Sequence, residues 1–177
     1  MEIGYEVTLD DLIAFTLYHH EHSPAMRRSL LFLRFKLPMV GLLIFFLPPW
    51  SLDSILGGMV LFPLFYILWI FCIPFFYRYG IKMRTRNLHR EGSNKGILGQ
   101  HHIDLSPVSV TERTEFGEQI TRWDAVERIV STANYIFIYI GSMSGHVIPK
   151  RAFLNEDAAQ QFLHQARENM ERFVPPK

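Results

Sequence analysis

Three kinds of hydrophobic spacing follow one another along the chain. Ile3, Tyr5 and Val7 alternate with Glu2, Gly4 and Glu6, the two-residue period of a half-buried strand. Thr8 then reads as a helix N-cap, with Asp10 and Asp11 set against the positive end of the helix dipole. Leu9, Leu12, Ile13, Thr16 and Leu17 recur at the spacing of one helix face.

A long apolar block comes next. From Ser54 to Tyr77 no side chain is charged, and a spanning helix needs about 20 mainly apolar residues to cross roughly 30 Å of hydrocarbon. Pro63 and Pro74 are tolerated in such helices, where neighbouring groups satisfy the freed carbonyls. An earlier apolar run, Leu37 to Trp50, reaches spanning length only if it starts near Leu30 and includes Arg34 and Lys36. Both cations lie at one end, where they can snorkel to the headgroups. Ser23-Pro24 is a start signal for this helix and Pro48-Pro49 its end, leaving Ser51 to Ser54 as a turn. Arg27, Arg28, Arg34 and Lys36 precede the first run; Arg78, Lys82, Arg84, Arg86, Arg90 and Lys95 follow the second. Flanks rich in Lys and Arg stay cytoplasmic, so both flanks on one side require an even number of crossings. The expectation is a hairpin with spans at about 30–50 and 54–77 within a segment 23–91, both termini being cytoplasmic.

From Gln100 the period returns to two. His102–Leu105, Val108–Thr111, Ile120–Trp123, Arg128–Thr132, Tyr135–Ile140 and His146–Ile148 read as strands, with turns at Glu115–Glu118 and Gly141–Gly145. Asn155 caps a last helix whose face is Ala159, Phe162, Leu163, Ala166, Met170 and Phe173. The expected fold class is therefore a membrane α+β protein: a transmembrane helical hairpin plus a small antiparallel sheet closed by a C-terminal helix. Residues 1–22 supply a strand and helix that join the cytoplasmic domain at 97–174. The apolar hairpin is then an insertion within one domain.

Composition narrows the function. Of 177 residues, 49% are hydrophobic and 20% charged, below the roughly 25% charged residues of a typical soluble domain. With 18 Lys+Arg against 17 Asp+Glu, nothing argues for a nucleic-acid partner. One cysteine, Cys72, excludes an internal disulfide and a cysteine-built zinc site. His19 and His22 share a helix face and admit a metal reading, against which stands that of solvated polar residues closing the helix. In Gly141-Ser142-Met143-Ser144-Gly145, Met143 stands where a hydrolase elbow needs its nucleophile. Nucleotide-binding glycine loops are absent from the sequence. The expectation is of no enzyme, no cofactor and no metal. Two groups of candidates remain. Arg27, Arg28, Arg34, Lys36, Arg78, Lys82, Arg84 and Arg86 face the headgroup region and either bind anionic lipid or only set topology. Lys150 and Arg151, with Trp123 as aromatic neighbour, are candidates for a ligand or partner contact. In the alternative, Trp123 and Phe153 are core and both cations are solvated.

Asn94-Lys95-Gly96-Ile97-Leu98-Gly99, Ile103-Asp104-Leu105-Ser106-Pro107, Trp123, Tyr135-Ile136-Phe137-Ile138 and Ile148-Pro149-Lys150-Arg151-Ala152-Phe153 together resemble the YcxB-like family of bacteria. Tyr5-Glu6-Val7-Thr8 and His19 to Pro24 are similar to it too. The resemblance implies a two-span protein of the bacterial inner membrane with a pleckstrin-homology-like C-terminal part. It implies no reaction. The expected role is a membrane-anchored interaction module binding lipid headgroups or a protein partner, with homo-oligomers allowed. The alternative is a small oligomeric transporter or channel subunit, against which stands the lack of ionisable residues inside the spans.

Overall fold

The computed structural model describes residues 1–45, 52–89 and 96–173. The chain divides into two units, one built from Met1–Thr16 with Thr85–Lys177 and the other from Leu17–Arg84.

In the first unit, β1 (Glu2–Val7) pairs antiparallel with β2 (Gly99–Leu105), with Ile3 opposite Ile103 and Tyr5 opposite His101. About ninety residues separate the two strands, yet loop closure costs free energy that grows only slowly with length. β3 (Ser109–Thr114) and β4 (Gly117–Arg122) extend this sheet in the order β1-β2-β3-β4. β5 (Arg128–Ser131), β6 (Tyr135–Tyr139) and β7 (Gly145–Pro149) form a second, three-stranded sheet in sequence order. The single sheet expected from the strand pattern is thus two. The break falls at a 3-10 turn, Trp123–Ala125, where the chain leaves β4 and Trp123 drops fully into the core. The turn between β6 and β7 is tight: a Cβ on Gly145 would stand 2.5 Å from the Ile138 carbonyl oxygen, which reserves the position for glycine.

One core lies between the sheets and the last helix, α5 (Glu156–Phe173). Tyr5, Val7, Ile103, Leu105 and Val110 come from the first sheet, Ile136, Ile138 and Ile148 from the second, and Phe162, Leu163 and Ala166 from α5. Asn155 caps α5 by accepting the Ala158 amide at 2.8 Å. The helix face includes Asn169, whose Nδ2 donates to the Ser106 carbonyl at 3.0 Å; Phe173 is exposed. β6 is buried on both faces, which is why it reads as an unbroken apolar run. Its second face is covered by α1 (Leu9–His22), where Phe15 packs against Phe137 and Tyr139 at ring distances of 5.3 and 5.1 Å.

The second unit is helical. Pro24 sits in the first turn of α2 (Pro24–Leu31), with Ser23 as N-cap but without a side-chain capping bond. A π-helical turn, Phe32–Lys36, joins α2 to α3 (Leu37–Phe45). Residues 46–51, which hold the end of the first expected span, its Pro48-Pro49 stop and Ser51, lie outside the described residues. α4 runs from Leu52 to Leu88 and contains Pro63 and Pro74, so Leu52–Ser54, expected in a turn, are helical. Among the described residues one helix is long and apolar enough to cross a membrane, the Leu61–Leu88 part of α4, and none of its most apolar window is buried. The other expected span, at about 30–50, is not seen as a helix of that kind among the described residues.

Phe162 is fully buried and touches the Phe153 ring at 5.3 Å. Phe162→Ala is expected to destabilise the first unit by about 3–5 kcal/mol. Chemical denaturation in detergent, followed by tryptophan fluorescence, measures it.

Candidate functional site

Local sequence builds the first polar cluster. Thr8 caps α1: its amide and hydroxyl both donate to Asp11 Oδ2 at 2.8 Å, and the Asp11 amide reaches Thr8 Oγ1 at 3.4 Å. This is the reciprocal logic of a capping box. Arg151 then approaches Asp11 as a two-pronged fork, Nη1 to Oδ1 at 2.7 Å and Nη2 to Oδ2 at 2.6 Å, while Nη2 also donates to the Glu6 carbonyl at 3.1 Å. The Asp11 side chain is only 1% exposed. Burial alone would raise its pKa, but the bonds from Arg151 and Thr8 outweigh that and hold it at about 2.

These contacts bear on the expected ligand group of Trp123, Lys150 and Arg151. Trp123 is fully buried and its Nε1 donates to the Ser106 carbonyl at 2.9 Å. Lys150 Nζ bonds Glu156 Oε1 at 2.8 Å, and Arg151 is engaged by Asp11. Recognition of an anion needs free donors. Both cations are paired with carboxylates and the indole is core, so the structure gives each of the three a structural contact.

A second cluster lies in the same unit and was not singled out from sequence. Glu112 on β3 accepts from His101 Nδ1 at 2.9 Å on one oxygen and from His146 Nδ1 at 2.7 Å on the other. Tyr5 OH donates to Oε1 at 3.2 Å. A carboxylate only accepts, so both Nδ1 atoms carry protons. The cluster ties β1, β2 and β3 to β7 across the two sheets. Burial pushes the Glu112 carboxyl up, and the two histidine bonds more than reverse this, bringing it to about 2. His101 Nε2 is buried without a hydrogen-bond partner among the described residues. The signal available in sequence was weak, since the groups are spread over four strands and His101 is followed by a second histidine.

The basic flanks resolve unequally. Within Leu17–Arg84, a cavity of about 360 Å³ is lined by Arg27, Arg34 and Arg78, with His20, Glu21 and Tyr77; its apolar wall includes Leu30, Leu31, Pro74 and Ile81. Arg78 pairs with Glu21 at 3.1 Å. His20 Nδ1 and Tyr77 OH are 3.2 Å apart. Trp69 Nε1 donates to the Leu33 carbonyl at 3.0 Å, fixing the π-helical turn against α4 beside Arg34. Arg28, Lys36, Lys82, Arg84 and Arg86 are exposed and do not line this cavity. Of the histidines weighed for metal, His19 is buried, whereas His22 stacks on Tyr18 at 4.0 Å. No cluster of three metal-ligating side chains occurs among the described residues.

Residues 106–166 match the model of the family described as YcxB-like protein. Over that stretch, about a third of the chain, the sequence is similar to the YcxB-like family. No curated protein and no solved structure matches the chain. The YcxB-like stretch begins at Ser106, whose carbonyl receives both Trp123 and Asn169. It includes Glu112, His146 and Arg151, while their partners Tyr5, Asp11 and His101 precede it.

Two outcomes follow for the clusters. Arg151→Gln leaves a buried Asp11 carboxylate short of two charged bonds and is expected to cost about 1.5–3 kcal/mol. Lys150→Gln breaks a pair whose acid is 62% exposed and should cost less than about 1 kcal/mol. Equal losses in denaturant titrations would contradict the assignment of Arg151 to structure. For Glu112, the folded carboxyl titrates at about 2 against an ordinary 4.5. Its contribution is complete above the ordinary value and lost as pH falls towards 2. Glu112→Gln should therefore cost about 1–3 kcal/mol near neutrality, with the gap from the native protein closing between those two pH values in unfolding curves.

Proposed function

We propose that this protein is a membrane-anchored, non-enzymatic interaction module of the bacterial inner membrane. The apolar segment forms a two-span hairpin, and the basic flanks hold the folded unit at the cytoplasmic leaflet through anionic headgroups. The observation that carries this reading is α4, whose most apolar window stays wholly outside any core and is followed by Arg78, Lys82, Arg84 and Arg86. In water so long an unburied apolar face would be an aggregation surface; in lipid it is at home. Each basic side chain near a charged leaflet adds about 1 kcal/mol.

A pleckstrin-homology-like description of the folded unit is supported by its four-stranded and three-stranded antiparallel sheets and its C-terminal helix. Glu112, His101 and His146 are spent on one another between the sheets, and Asp11 is spent on Arg151.

Reporter fusions at Met1 and at Lys177 should both score cytoplasmic, and the full chain should resist carbonate extraction from membranes. Opposite scores for the two fusions would reduce the hairpin to the single span of α4. Release by carbonate would remove the anchor altogether.

A further inference from the structure

The geometry points to the cavity within Leu17–Arg84 as a one-to-one site for the phosphate headgroup of an anionic lipid. This rests on the membrane-anchored reading and sharpens it, replacing diffuse attraction at the basic flanks by a built pocket.

Charge is the first argument. Three arginines line the cavity against one glutamate, and Glu21 is taken by Arg78 at 3.1 Å. Arg27 and Arg34 then have no carboxylate partner among the described residues. Arg34 supplies the second. Its Nε is buried without a hydrogen-bond partner among the described residues, and an arginine guanidinium carries a full positive charge. A buried charged donor left unmet is costly. An anion in the cavity relieves that cost, and a planar fork matches phosphate oxygens two at a time. Tyr77, beside His20, adds a hydroxyl at the same cavity.

The walls decide which phosphate. Leu30 and Leu31 lie next to the arginines, Leu31 is 52% exposed and the following Phe32 50% exposed. A ligand lodged here meets cationic and apolar surface together, which suits a headgroup with acyl chains better than a free ion. A volume of about 360 Å³ falls within the roughly 300–1,000 Å³ typical of small-ligand sites.

The test uses the purified full-length protein in detergent, titrated calorimetrically with short-chain phosphatidic acid, short-chain phosphatidylcholine and inorganic phosphate. Native protein should bind phosphatidic acid saturably at one equivalent and inorganic phosphate far more weakly. Arg27→Gln and Arg34→Gln should each weaken the lipid by about tenfold, as expected for loss of one charge-assisted bond. Arg27 is exposed and unpaired, so its replacement leaves the fold intact, and circular dichroism checks both variants. Replacing Arg84 or Arg86 singly by Gln, which removes equal charge outside the cavity, should weaken binding much less. Equal weakening there, or no saturation, overturns the pocket. Equal binding of phosphatidylcholine overturns it in favour of apolar adsorption, and equal binding of inorganic phosphate overturns the lipid as its source. Carbonate extraction of the native chain is scored separately: a protein that leaves the membrane yet binds phosphatidic acid through Arg27 and Arg34 loses its anchor and keeps its site.

Discussion

The fork between Arg151 and Asp11 joins residues 140 positions apart in the folded unit, and much of its order passes through it. Asp11 accepts from Thr8 to start α1 and from Arg151 to hold the turn after β7. Arg151 in turn donates to the Glu6 carbonyl at the end of β1. A buried carboxylate with fewer donors would be a liability, because burial favours its neutral form. Supplied with four hydrogen bonds from Thr8 and Arg151 it stays ionised and fixes the N-terminal strand and helix to the end of the second sheet. That is what lets a strand cut off by a long apolar insertion remain part of the domain.

Glu112 plays the same part between the two sheets. Two histidines, a tyrosine and one carboxylate replace what would otherwise be apolar packing between β3 and β7. Such polar clusters give geometry more than net stability. The Ser106 carbonyl completes the set, receiving Trp123 where the chain passes between sheets and Asn169 from α5. Three acceptors thus define how strands, turn and helix meet around a core that is otherwise aliphatic and aromatic.

The helical unit obeys different physics. Its apolar side chains point outward, its charges gather at the ends of the apolar runs, and its one described cavity with several cations lies among Arg27, Arg34 and Arg78. Outward apolar surface is costly in water and at home in lipid.

Local periodicity was enough to read the strands, the cap at Asn155, the apolar length of α4 and the pairing of β1 with the later strands, because burial on one face leaves a period of two or of 3.6 in the sequence itself. Strand-rich runs do not say where a sheet ends, so the split after β4 required the structure to show Trp123 turning into the core. Charge patterning marked Arg151 and Lys150 as a pair of equals, since a sequence records that a cation is present and not which carboxylate it reaches. Only the fold brought Asp11 to one and exposed Glu156 to the other. The Glu112 cluster was invisible for the same reason: its members are remote in sequence, and hydrogen bonds between remote groups are decided by strand register and sheet packing. Among the basic flanks, too, the sequence determined the charge and its place beside the apolar run, while tertiary structure alone decided which arginines share a cavity and which face solvent.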